Sequence, residues 1–148
     1  MKVLIKLFLC AGVLGVLLVG CGTARTYYSD AQVIGPYTPA IKVGDVLYVS
    51  GQVAFKPGTT ELAADDIEVQ TRQVLDNIKS ILANAGYDMS DVIQSTVYLK
   101  DINDFTKMNQ VYGTYFVQGR YPTRTTVEVA NLPRKARIEI TAVACKSK

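Results

Sequence analysis

The run Ile67–Ala85 constrains the fold more than any other stretch. Ile67, Thr71 (through its methyl), Val74, Leu75, Ile78, Ile81, Leu82 and Ala85 recur at the 3.6-residue period of an α-helix, with polar residues between them. Asp65 or Asp66 stands where a side chain can accept from the first free amides, and Gly86 stands where a helix can end in a left-handed residue. A helix with one apolar stripe is marginal alone and needs an apolar layer to cover it. The rest of the chain must supply that layer.

It does so with short alternating segments. Arg25–Val33 is polar with two tyrosines and reads as a first edge strand, ended by the turn signal Ile34-Gly35-Pro36-Tyr37. Ala40–Val43, Gly44-Asp45 and Val46–Ser50 read as strand, two-residue turn and strand. Gly51 follows directly, the mark of a bulge or of a close backbone approach. Asp91–Leu99 is a strand with Ile93, Ser95, Val97 and Leu99 on one face and Val92, Gln94, Thr96 and Tyr98 on the other. Asn103 or Asp104 can cap a second helix, Phe105–Phe116, striped with Phe105, Met108, Val111, Tyr112 and Tyr115.

Tyr121–Val129 is entered through Pro122, which cannot donate to a ladder and belongs at a strand's start. Alternation separates Arg124, Thr126 and Glu128 from Thr125, Val127 and Val129, and the second set reads as core. After the loop Asn131–Lys135, the last strand Ala136–Cys145 sets Ile138, Ile140, Ala142 and Ala144 against Arg137, Glu139, Thr141 and Val143. The order β-β-β-α-β-α-β-β predicts an α+β domain: a mixed sheet with both helices on one face. The other face is half apolar, which points to burial against another subunit.

The N-terminus obeys other rules. Lys2 and Lys6 precede the apolar or small run Leu7–Gly20, which is short of the ~20 residues that span a bilayer and fits a secretory signal. It ends Leu18-Val19-Gly20-Cys21, which resembles the lipobox of bacterial lipoproteins. The expected organisation is a signal peptide over 1–20, a lipidated tether over 21–24 with Cys21 acylated, and one domain over 25–148. Cleavage removes two of the sixteen basic residues, no acid, and Cys10. Cys145 is then left without a free partner for an intrachain disulfide. The protein is expected in the cell envelope, lipid-anchored, on the periplasmic face of the inner or outer membrane if the cell is Gram-negative.

The chain has no histidine, which removes Ser-His-Asp and Cys-His nucleophile systems and most zinc sites. No metal ligand set and no cofactor motif is read from it. A net charge of +3 without a Lys/Arg run gives no reason to expect nucleic acid. Catalysis must therefore use Arg, Lys, carboxylates, hydroxyls, backbone groups or water. Arg124 offers a planar fork matched to a carboxylate or phosphate, against the plainer reading of a solvated surface charge. Glu139 is either an exposed strand carboxylate pairing with Arg137 or Arg124, or a group that handles a water.

Several pieces, taken in order, resemble the RidA/YjgF family of reactive-intermediate deaminases, also described as endoribonuclease L-PSP. They are Ile34-Gly35-Pro36-Tyr37, Val49-Ser50-Gly51-Gln52, Gln70–Asn77, Ala85-Gly86, Val97–Phe105, Met108-Asn109, Tyr121–Val129, and Leu132-Pro133 followed by Ile138-Glu139-Ile140. The resemblance runs from about Arg25 to Ala144. It implies a chorismate-mutase-like α+β fold, a homotrimer with ligand pockets between subunits, and hydrolysis of 2-imino or 2-enamino acids to 2-oxo acids and ammonia. By the same resemblance Arg124 binds the substrate carboxylate, Glu139 on a neighbouring strand positions the water, and Tyr37, Ser50, Gly51, Asn109 and Thr126 line the pocket. Many deaminating members carry cysteine at the position of Thr126 and a second glutamate at that of Thr141. The segment between Phe116 and Tyr121 is also shorter here. The alternative is a non-catalytic trimeric lipoprotein that binds small carboxylates.

Overall fold

A computed structural model describes residues 23–146. The readings placed on the N-terminal segment, Cys21 among them, lie outside the described residues. The described chain folds as β1 (Arg25–Tyr28), β2 (Ala40–Val43), β3 (Val46–Val53), α1 (Ile67–Asn84), β4 (Val92–Leu99), α2 (Phe105–Gly113), β5 (Thr123–Glu128) and β6 (Ile138–Cys145). The six strands form one sheet in the order β1-β2-β3-β6-β4-β5. Every neighbouring pair is antiparallel except β4 and β5, which run parallel. A parallel pair needs a crossover, and α2 lies on it.

Helix α1 starts and stops as its sequence dictates. The Asp66 carboxylate accepts from the Val69 amide at 2.9 Å. At the other end Gly86 turns left-handed at φ +80°. The amides of Gly86 and Tyr87 then reach back to the carbonyls of Ala83 and Leu82 at 3.0 and 2.8 Å, the Schellman pattern. The stripe Val74, Leu75, Ile78 and Leu82 is fully buried against Leu47 and Val49 of β3 and Ile138, Ile140, Ala142 and Ala144 of β6. Met108 and Tyr112 of α2 join the same core, so both helices cover one sheet face. Each large side chain in it contributes about 1.5–3 kcal/mol through burial.

Four sequence readings are corrected. The first strand is shorter than Arg25–Val33, since after Tyr28 the chain leaves the sheet before the Gly35-Pro36 turn. The second helix stops at Gly113 rather than Phe116. In β4 the register slips between Val92 and Gln94, so Val92 turns into the core and Ile93 is left 51% exposed. The fourth correction matters most. Val127 is 40% exposed and Thr125 lies open, whereas Arg124 and Thr126 face the helix side. The cause is parallel pairing with β4, which sets Arg124 beside Ser95 and Thr126 beside Val97, both buried under the helices. Register fixes the face of the whole strand.

The open face carries Tyr48, Thr96, Tyr98, Thr125, Val127, Glu139, Thr141 and Val143, a mix of hydroxyls and apolar groups with one carboxylate.

Candidate active site

Two clusters of functional side chains form on opposite faces of the sheet. The first sits at the outer edge, between β5 and α2. Pro122 stands just before the strand, and the Thr123 hydroxyl pins its start by donating to the Ile93 carbonyl at 3.0 Å. Arg124 then leans toward α2. Its Nη2 donates to Asn109 Oδ1 at 2.7 Å, and its guanidinium carbon lies 4.5 Å from the centre of the Tyr112 ring and 5.7 Å from that of Phe105. A cation over an aromatic face is held by the ring's quadrupole, worth about 0.5–2 kcal/mol.

Tyr112 is itself fixed from below. Its hydroxyl shares a buried 2.7 Å hydrogen bond with Ser95 Oγ, and burial pushes its phenol pKa upward. Asn109 and Tyr112 are three residues apart on α2 and so present one face of the helix to the arginine. Among the described residues no carboxylate pairs with Arg124. Beside it, Thr126 Oγ1 is buried without a hydrogen-bond partner. Arg124, Asn109 and Tyr112 border an open cleft of about 540 Å³, lined also by Gly113, Tyr121 and Pro122.

The second cluster lies on the open face, where β3 bulges against β6. The pairing register shifts between Val49 and Gln52, and Gly51 sits in the shift. A Cβ on Gly51 would stand 1.9 Å from Glu139 Oε1 and 2.9 Å from its carboxyl carbon. Glycine is therefore what lets the Glu139 carboxylate lie against the β3 backbone. The loop before β2 is stitched to the same bulge: Ser50 Oγ donates to the Thr38 carbonyl at 2.7 Å, and the Ser50 amide donates to that of Pro39 at 2.9 Å. Tyr37 lies in that loop, turned by a 2.9 Å bond from its amide to the Gly35 carbonyl, with its ring partly exposed.

Burial alone raises the Glu139 pKa above its ordinary 4.5. The two pairings open to Glu139 from sequence are not made. Arg137 is engaged by Asp104 at 3.0 Å and Asp65 at 3.3 Å, and Arg124 by Asn109.

The sequence-predicted residues thus fall into two groups: Arg124, Asn109 and Thr126 on the helix side, and Tyr37, Ser50, Gly51 and Glu139 around the open-face bulge. Strands β5 and β6 are not neighbours, because β4 runs between them. A single protomer does not bring Arg124 and Glu139 together. Tyr112 and Ser95 escaped the sequence reading because each fits an apolar stripe or a buried strand face. The available signal was the i, i+3 spacing of Asn109 and Tyr112.

The comparisons with known proteins follow the same outline. The profile of the family described as Endoribonuclease L-PSP matches residues 28–146. A RutC family protein of Pyrococcus horikoshii is 55% identical over 113 residues, covering 76% of this chain and 89% of its own. The 2-iminobutanoate/2-iminopropanoate deaminase of Escherichia coli K12 is 41% identical over 115 residues, with the same coverage of 76% and 89%. The crystal structure of E. coli TdcF with bound serine superposes with a TM-score of 0.74 at 40% identity, covering 79% of this chain and 93% of that one. On fold, ordered motifs and these matches together, the chain belongs to the endoribonuclease L-PSP family, which includes the RidA-type proteins.

Proposed function

We propose that a closed ring of these chains hydrolyses 2-imino and 2-enamino acids to 2-oxo acids and ammonia, with Arg124 of one copy facing Glu139 of the next. The observation that carries this reading is Arg124 itself. It is a half-buried guanidinium, oriented by Asn109 and Tyr112, with no carboxylate partner among the described residues. Such a group presents its remaining N–H donors to an anion. The likeness to a deaminase of 2-imino acids and to a structure holding serine, a small amino acid, supports a carboxylate as that anion.

The chemistry asks little of the protein beyond placement. An enamino acid first takes a proton at C3 and becomes the imine; water oxygen then adds to C2, the C–N bond breaks, and nitrogen leaves as ammonia with the transferred protons. Arg124 fixes the carboxylate, and so the position of C2. Glu139, held close to Gly51 and buried enough for a raised pKa, takes a proton from the water and returns one to the leaving nitrogen.

The proposed assembly is supported by where the two halves lie. One patch is the β5 edge and the other is the open face, so joining them uses different surfaces on the two copies. A head-to-tail contact between them is heterologous, and it gives a ring where the rotation closes. Three copies are proposed on the family resemblance.

The anchor is a further part of the proposal. Cys21 lies four residues before the start of β1 at Arg25, so a lipid on it would hold the domain within roughly 13 Å of the bilayer. A ring with one lipid per copy would hold on far more firmly than a single chain. This export-type N-terminus favours the second reading, a ring that binds small carboxylates in the cell envelope without turnover.

One assay separates the readings. Imines are generated in situ by an amino-acid oxidase, and their loss is followed with the wild type and with Arg124→Ala. The deaminase reading expects a loss of about 2–4 kcal/mol of transition-state stabilisation in the variant. Equal rates would remove the arginine from the chemistry. Ligand-induced thermal shift by 2-oxo acids without imine loss would favour the binder.

A further inference from the structure

Gly113 ends helix α2 on the wall of the Arg124 cleft, and neither backbone nor packing calls for a glycine there. Its φ lies outside the left-handed region, and a Cβ placed on it would meet nothing within 4 Å. The other described glycines near the sheet differ. Gly44 and Gly86 take positive φ, and Gly51 would strike Glu139. A glycine at a helical position is also less stable than alanine, because its unfolded chain is freer. What Gly113 does is leave the cleft wall bare.

The space left is large. In one protomer, before a second copy closes it, the open cleft measures about 540 Å³, within the roughly 300–1,000 Å³ of pockets that hold drug-sized ligands and far beyond a four-carbon acid. With a carboxylate on Arg124, the remaining walls that the same protomer supplies are Tyr112, Gly113, Tyr121 and Pro122, with Asn109 already bonded to the arginine. None of these carries a charge, and Tyr121 is 54% exposed with a ring free to stack.

We propose that Gly113 is a specificity-determining residue, leaving room beside Arg124 for the bulky aromatic or branched apolar side chain of a 2-imino or 2-oxo acid. The inference rests on the reading of Arg124 as a carboxylate anchor and names the substrate class of that site. The reaction is unchanged: water adds at C2, the C–N bond breaks, and no oxidant or reductant is consumed.

The test uses two acids, 2-oxobutanoate and phenylpyruvate, whose binding is measured by calorimetry. Their imines, formed from 2-aminobutanoate and phenylalanine by an oxidase, are followed in parallel. The wild type binds phenylpyruvate at least as tightly as 2-oxobutanoate. Gly113→Leu weakens phenylpyruvate about tenfold or more and shifts 2-oxobutanoate by less than about twofold, the range expected when a pocket loses or gains a methylene's space. Gly113→Ala raises the melting temperature, leaves the oligomeric mass unchanged, and lowers the preference for the larger acid.

Three results overturn the inference: a wild-type preference for the small acid, equal weakening of both acids by Gly113→Leu, or a fall in oligomeric mass with Gly113→Ala. The last would assign the glycine to a subunit contact. A size preference in binding without any imine turnover upholds the inference and removes the deaminase reading. Turnover together with any of the three overturning results keeps the deaminase reading and removes the inference.

Discussion

Gly51 and Glu139 form a pair in which one residue's lack of a side chain defines the other's position. Gly51→Ala places a methyl 1.9 Å from Glu139 Oε1, the far end of a flexible side chain. The carboxylate gives way and the backbone does not. Stability is expected to change by less than about 1 kcal/mol, while kcat/KM falls about a hundredfold, as a displaced catalytic group requires. Melting temperature and imine hydrolysis, measured on the same preparation, check both halves of that statement. An equal fall in stability and activity would make the glycine merely structural.

Glu139 also leaves a mark on stability. Its folded pKa is raised above 4.5 by burial, so the fold favours the neutral acid. The sign follows from linkage. This group's contribution to stability is full below pH 4.5 and is lost as pH rises through the raised folded value. Glu139→Gln keeps the site neutral at every pH. It is expected to raise the melting temperature at pH 7, to leave it unchanged at pH 4, and to abolish turnover. A lower melting temperature at pH 7 would mean the ionised carboxylate has a favourable partner in the assembled protein.

At the scale of elements, the chain is legible wherever the signal is local. Helix α1 was readable because its period, Asp66 and Gly86 all lie within one stretch, and the Gly44-Asp45 turn because its two strands follow each other. The bulge at Gly51 was readable from a single residue. The face of β5 was not. Thr125, Thr126, Val127 and Val129 are β-branched on both sides of the strand, so local pattern cannot choose between faces, and the choice is made by register with β4. The same long-range pairing puts β4 between β5 and β6, which no local pattern foretells. The family pattern points to Arg124 and Glu139, but their separation on opposite faces is a property of strand order.

The turn that leads into β6 shows local chemistry working against the fold. Arg134 and Lys135 take φ of 57° and 63°, left-handed values at which a Cβ crowds the carbonyl. Two backbone bonds hold them there, from the Lys135 amide to the Leu132 carbonyl at 3.2 Å and from the Ala136 amide to that of Pro133 at 3.0 Å. Arg134→Gly and Lys135→Gly are each expected to stabilise by about 1 kcal/mol, because glycine takes these angles without strain. Chemical denaturation with an unchanged m-value would confirm it. A loss of stability would show that the basic side chains contribute more than their backbone costs.

The whole molecule is one sheet with two clusters of candidate residues on opposite faces. One protomer holds a clamped arginine at its edge and a half-buried glutamate on its open face, and the proposed activity needs both at one ligand. On the proposed reading the active site is therefore completed by a second copy. Its most direct test mixes two inactive variants, Arg124→Ala and Glu139→Gln, refolded together into mixed rings. A site that takes its arginine from one copy and its glutamate from the next is intact in about a quarter of positions at equal mixing, since each half is wild type half the time. Recovery of about a quarter of wild-type activity is the predicted result, and mixed rings, verified by mass, with no activity above either parent would contradict it.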